Sequence, residues 1–134
     1  MAVLDAEALS VLASPGERGS AKRRSHAVLE AVERRGGYAV VPAPVLAEVS
    51  RTRERRMAVE RVLRHLSVVP TDRRIAEGAG VLLEAVKMSS SGAIDAFVVA
   101  TASAMPAAVI LTGDAGDIRQ LSSSLPNVVV QPLG

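Results

Sequence analysis

Five short runs of mostly apolar residues punctuate the chain: Ala2-Val3-Leu4, "YAVVP" at 38–42, "SVVP" at 67–70, the run 107–112, and "NVVVQPL" at 127–133. Segments with helical periodicity separate them. A strand solvated on one face alternates apolar with polar side chains, so a strand apolar on both faces has to be covered on both. Strands of that kind, separated by helices, dictate a parallel sheet between helical layers. The chain reads as α/β: a three-layer α/β/α arrangement around a central five-stranded parallel sheet. At 134 residues, with no internal repeat, low-complexity tract or linker, it reads as a single domain over 1–134.

The intervening segments read as follows. A helix runs from Asp5 to about Ala13, and "SPGERGS" is a loop. Residues 20–35 form a helix with Val28, Leu29 and Val32 on one face, stopped by Gly36-Gly37. Pro42 and Pro44 open a helix that continues through 51–65, with Val59, Val62, Leu63 and Leu66 as its stripe. Thr71 caps a helix to about Met88, and Ser91 caps the helix bearing Ile94, Val98 and Met105. A short helix with Ile118, Leu121 and Leu125 on one side precedes the last strand.

Tyr38 and Phe97 are the only aromatic residues, so the core is built from Val, Leu, Ile and Ala, and no platform exists for stacking bases. The absence of cysteine excludes disulfides and thiolate metal sites. Residues 1–13 carry Asp5 and Glu7 and no basic n-region, which is not a signal peptide, and the apolar stretches fall short of a membrane span. A soluble, cytoplasmic protein with no membrane partner is expected.

In open parallel sheets, ligands bind beyond the carboxyl ends of the strands. The chain has five aspartates, and four of them gather at that edge. Asp5 ends the first strand, Asp114 and Asp117 follow the fourth, and Asp95 lies in the first turn of a helix. Glu48 joins them from the helix after the second strand. At 100° per residue it falls at the edge of the stripe Val45, Leu46, Val49, so it is expected to be half-buried. Taken singly, these acids have ordinary readings as helix caps, first-turn acids or surface charges. Together they carry a cost, because two carboxylates 5 Å apart repel by about 3 kcal/mol at an effective dielectric of 20. A cation or a raised pKa offsets such a cost. Oxygen ligands suit Mg²⁺ or Mn²⁺, whose natural chemistry with phosphates is attack of an activated water on a phosphodiester.

Fourteen of the sixteen basic residues are arginine, and six of these fall within 51–64: Arg51, Arg53, Arg55, Arg56, Arg61 and Arg64. Such a cluster suits phosphate contacts or an acidic protein partner. The alternative is a solvated helix face, with Glu54 and Glu60 interleaved and Glu60–Arg64 as an i,i+4 pair. His26 and His65 stand singly, without ligand spacing, and read as structural or exposed.

The segments "VLDAEALSVLA", "VVPAPVLAEVSR", "SGAIDAFVVATA" and "VILTGDAGDIRQL" resemble, in order, the four acidic motifs of PIN-domain ribonucleases. The likeness is strongest to the VapC-type toxins of bacterial toxin–antitoxin pairs, and it runs from residue 2 to 131. The resemblance implies an acidic site binding Mg²⁺ or Mn²⁺, and hydrolysis of RNA to a 5′-phosphate and a 3′-hydroxyl. By motif position, Asp5, Glu48, Asp95 and Asp114 match the catalytic acidic quartet, with Asp5, Asp95 and Asp114 as metal ligands. Asp117 matches an auxiliary acid, and Thr112 matches the hydroxyl residue that supports the site. A cognate VapB-like antitoxin and a homodimer are implied as well. One departure is visible: Ala6 and Glu7 follow the first aspartate, where many members carry Thr or Ser and then a small polar residue.

The main alternative is a catalytically silent PIN-like module that binds RNA or protein without cutting. A phosphoacceptor receiver-like domain also gathers aspartates at strand ends, but it requires a lysine after a late strand, and Lys22 and Lys87 are the only lysines. A phosphate-binding ATPase lacks its GxxxxGK[ST] segment here.

Overall fold

A computed structural model describes residues 1–14 and 19–134, so most of the "SPGERGS" loop lies outside the described residues. The strands are β1 (Ala2–Leu4), β2 (Ala39–Pro42), β3 (Ser67–Val69), β4 (Ala108–Thr112) and β5 (Val128–Pro132). The helices are α1 (Ala6–Ala13), α2 (Ser20–Arg34), α3 (Val45–Val49), α4 (Arg53–Leu63), α5 (Arg73–Ala85), α6 (Ala93–Ser103) and α7 (Ala115–Leu121), with a 3₁₀ turn over Ser90–Gly92.

All five strands are parallel, in the order β3-β2-β1-β4-β5. Ala2, Val3 and Leu4 of β1 are fully buried, as are Ile110 and Leu111 of β4, because helices cover both faces of the middle of the sheet. Helices α2, α3 and α4 pack around α1 on one side; α5 and α7 pack around α6 on the other. The three-layer arrangement expected from the apolar runs is the one observed. At the edges the covering thins, leaving Val68 and Val129 exposed.

The strand order fixes where a ligand can sit. The chain winds outward from β1 to β3, then returns to the other side of β1 for β4. The crevice at such a reversal opens beyond the carboxyl ends of the two strands that flank it. Register pairs Leu4 with Leu111, so the residues following each, Asp5 and Thr112-Gly113-Asp114, emerge side by side.

Several local expectations need correction. Pro42 ends β2, paired with Val69 of β3, and opens no helix. The helix does not continue from Pro44 through 65: α3 stops at Val49, and Thr52 caps a new helix by accepting the Arg55 N–H at 3.1 Å. Asp72, and not Thr71, caps α5, accepting from Ile75 N at 2.9 Å. That helix ends at Ala85, before Met88, because Lys87 turns left-handed (φ 56°). The N–H groups of Lys87 and Met88 then close back onto the Glu84 and Leu83 carbonyls. The Ser91 hydroxyl caps nothing; it lies 2.6 Å from the Ser89 hydroxyl inside the 3₁₀ turn. Gly36 stops α2 as expected, at φ 78°.

Candidate metal centre

Asp5 leaves β1 and becomes the N-cap of α1, with 4% of its surface exposed. Its Oδ1 accepts the Ala8 N–H at 2.8 Å, and its Oδ2 accepts the Gly113 N–H at 3.1 Å. Burial pushes its carboxyl above the ordinary aspartate value, against the opposing pull of hydrogen bonds from the Thr112 side chain and the backbone at Ala8, Gly113 and Glu7. Thr112 is itself fully buried, and its hydroxyl also accepts the Asp114 N–H at 2.8 Å. One side chain thus ties the end of β1 to the loop after β4.

Asp114 caps α7, accepting from Asp117 N at a long 3.5 Å, and Asp117 stands in the first turn of that helix. Across from them, α6 presents Asp95 from its first turn. Among the described residues, the acids whose carboxylate oxygens all lie within 4.8 Å of one another are Asp95, Asp114 and Asp117. Asp95 is half-buried, and its pKa is raised to about 6, first by burial and then by the charges of Asp114, Asp5, Asp117 and Glu48. The charge of Asp114 likewise raises Asp117.

Asp95 and Asp114 open onto a cleft of about 220 Å³, which Asp5 and Glu48 also line, with Glu7, Ser91 and the apolar Ile94; Asp117 does not line it. Glu48 reaches it from α3 but is exposed, contrary to the half-burial expected. A helix of five residues buries only Val45 and Val49, and its remaining face stays at the cleft mouth.

Two features of the cleft were not anticipated. Gly113 contributes the backbone donor to Asp5, and a Cβ there would collide with the Glu7 carboxylate, which lies directly over it. Ser91 lines the wall and does not cap a helix. Away from this cleft, the two histidines are exposed, as expected, and both line a second cleft of about 470 Å³ with Leu29 and Leu66.

The donor set fits a hard divalent cation. Every ionisable group on the cleft is a carboxylate, the ligand type that suits Mg²⁺ or Mn²⁺, and neither imidazole nor thiolate adjoins it. The volume leaves room for several waters at about 30 Å³ each, as an incompletely dehydrated Mg²⁺ requires. The raised Asp95 carboxyl comes first from burial and then from the clustered anions, and a bound cation would offset both.

A family model described as "PIN domain" matches residues 2–122. Comparison with curated proteins gives no match. Three solved structures share the fold across nearly the whole chain. VapBC2 from Rickettsia felis, bound to a DNA fragment from their promoter, is 14% identical with a TM-score of 0.67, covering 98% of this chain and 97% of that one. A toxin–antitoxin complex from Klebsiella pneumoniae is 21% identical with a TM-score of 0.66, covering 96% of both chains. DNA-bound VapBC from Salmonella typhimurium is 12% identical with a TM-score of 0.66, covering 99% and 98%.

Proposed function

Because the chain belongs to the PIN domain family, we propose that it is a VapC-type toxin, a divalent-metal-dependent endoribonuclease held in check by a VapB-like antitoxin. The observation that carries this reading is the meeting of Asp95, Asp114 and Asp117 within 4.8 Å, beside buried Asp5 at the sheet's switch point. The structural neighbours, which are toxin–antitoxin complexes, support the partner.

In this reading Asp5, Asp95 and Asp114 hold Mg²⁺ or Mn²⁺, with Asp117 as an auxiliary acid. When bound, the ion supplies charge neutralisation and polarisation of the scissile phosphodiester. Glu48, exposed at the cleft mouth, orients the attacking water and accepts its proton. The water oxygen bonds to phosphorus and the bond to the 3′-oxygen breaks. The 3′-oxygen takes a proton from solvent, leaving a 5′-phosphate and a 3′-hydroxyl. Thr112 acts as a positioning residue, since its hydroxyl joins the Asp5 carboxylate to the Asp114 backbone.

The reading includes action in the cytoplasm as a homodimer. No helix among the described residues is long and apolar enough to cross a membrane, and the chain has no cysteine to oxidise.

The test is cleavage of a mixed RNA pool with Mn²⁺, Mg²⁺ or EDTA, beside Asp95→Asn. Cuts that need metal and vanish in the variant establish the nuclease. Binding of RNA without cutting by the wild-type protein, at any metal concentration, overturns it in favour of a silent module.

A further inference from the structure

Helix α4 has two faces. Val59 is buried, and Ala58, Val62 and Leu63 are half-buried against the body of the protein. Arg55 turns the same way, and its guanidinium donates to the Ser10 hydroxyl on α1 at 2.5 Å. The opposite face carries Arg53, Arg56, Arg61 and Arg64, all exposed, around an open surface depression of about 400 Å³.

The charge on that face is not neutralised internally. Among the described residues, the ion pairs formed are Glu30–Arg34 and Glu77–Arg73, and the pair expected between Glu60 and Arg64 is not made. Four guanidinium groups against the single carboxylate of Glu60 leave a net charge of +3 on the lining of this surface (4 − 1). Helix α4 spans 11 residues, about 16 Å at 1.5 Å per residue, and Arg64 is its C-cap.

Its position links it to the acidic cleft. Arg56 donates through Nη1 to the Ser50 carbonyl at 3.1 Å, and Ser50 closes α3, the helix that carries Glu48. One end of the row is therefore tethered two residues from a cleft-lining acid. Carboxylates repel an RNA backbone wherever no cation intervenes, so flanking phosphates need cations of the protein's own. Arginine suits them because its planar fork matches phosphate geometry and stays charged at every working pH.

We propose that the outer face of α4, Arg53, Arg56, Arg61 and Arg64, is a phosphate-backbone track for the RNA strand leading away from the acidic cleft. The inference rests on the endoribonuclease reading. It assigns these arginines to backbone positioning with no base readout, which matches a chain without exposed stacking aromatics on this helix.

The test is the salt dependence of RNA binding by Asp95→Asn protein in EDTA, read as fluorescence anisotropy of a labelled single-stranded RNA. The four arginines are replaced together by Gln in one variant and by Lys in another. Arg24, Arg34, Arg73 and Arg74 are replaced by Gln in a third, which matches the charge change elsewhere. Circular dichroism and melting verify that each variant is folded. The track predicts at least a 10-fold weaker affinity at 0.15 M salt for the α4 Gln variant. Its slope of log K against log salt should shrink by about 2 to 3, at about 0.7 per phosphate lost. The Lys variant should keep most of that slope, and the control variant should change it by less than one. An unchanged slope in the α4 Gln variant overturns the proposal, as does an equal loss in the control. Retained RNA binding with loss of an acidic protein partner overturns it too, and gives the face to that partner. If wild-type protein cuts RNA while the α4 Gln variant binds unchanged, only the track falls; if wild-type protein neither cuts nor binds RNA, the nuclease reading falls with it.

Discussion

Gly113 donates its backbone N–H to the carboxylate of Asp5 at 3.1 Å, across 108 residues of sequence. Thr112, the residue before it, hydrogen-bonds the same carboxylate and accepts the Asp114 N–H at 2.8 Å. The loop after β4 is therefore built around Asp5. Asp114, one of the acids that converge in front of it, is held in that loop through its own N–H on Thr112.

Thr112→Val keeps the shape of a fully buried side chain and removes only the hydroxyl. It strands the Asp114 N–H and deprives Asp5 of a donor, so a loss of roughly 1–3 kcal/mol in stability is expected. Urea unfolding checks the loss. The Asp5 carboxyl should rise further, because a hydrogen bond that favours its charged form is gone. Carbon-detected NMR titration of the aspartate carboxyls reads that change. A variant as stable as wild type would show that Thr112 does not join the two strand ends.

Asp95 gives a pH dependence whose sign is opposite to that of a salt-bridged aspartate. Its folded pKa of about 6 lies above the ordinary aspartate value of 3.8, so the fold binds this proton more tightly than the unfolded chain does. The associated stability is complete below about pH 4 and is lost as pH rises through 6. Without metal, Asp95→Asn should therefore melt above wild type at pH 7.5 and close to it at pH 4. The gap is at most about 3 kcal/mol at 1.36 per pKa unit, and smaller in practice because Asp95 is only half-buried. Divalent cation reverses the order, because it binds the deprotonated form. Metal affinity measured by calorimetry should fall as pH drops through 6. Equal melting temperatures for the two proteins at both pH values would rule out the like-charge strain.

Gly113→Ala separates backbone from side-chain effects at the cleft. The new methyl group meets the Glu7 carboxylate, the far end of a flexible side chain, and Gly113 has no left-handed φ that requires glycine. Stability should change by less than about 1 kcal/mol, while Glu7 swings away from the cleft wall. Metal affinity should then shift by the same factor as in Glu7→Ala, and the double variant should add nothing further. Full additivity of the two changes would show that Glu7 does not rest on Gly113.

The sheet was legible because its middle strands are apolar on both faces: Ala2-Val3-Leu4 and Ala108-Val109-Ile110-Leu111 contain no polar residue to confuse the pattern. The gathering of Asp5 and Asp114 at one edge followed from strand ends, and that of Asp95 from its place in the first turn of a helix. Which oxygens converge did not, since that depends on where each side chain turns. Both Asp5 oxygens are engaged by backbone N–H groups, while those of Asp117 turn toward Asp95 and Asp114. The break before Thr52 was hidden because helical periodicity continues through it, although a threonine ahead of a charged helical run is itself a capping signal. Lys87 hid the end of α5 for another reason: a left-handed turn is usually marked by glycine, and this one is not.

Asp114 is both a helix cap and a member of the converging acids, and one substitution can part the two roles. Asp114→Ser retains a side-chain oxygen suited to the N-cap of α7 and removes the charge. The native cap bond is long, at 3.5 Å, so its loss in Asp114→Ala should cost no more than about 0.5 kcal/mol. Both changes also relieve the repulsion that Asp114 exerts on Asp95 and Asp117. In EDTA, Asp114→Ser should therefore melt at or above the wild-type temperature. In Mn²⁺ the order should invert. Wild-type protein gains about 2.7 kcal/mol at an ion concentration 100 times its Kd, and the variant gains much less. A serine variant that melts with Mn²⁺ as wild type does would make Asp114 a cap and nothing more.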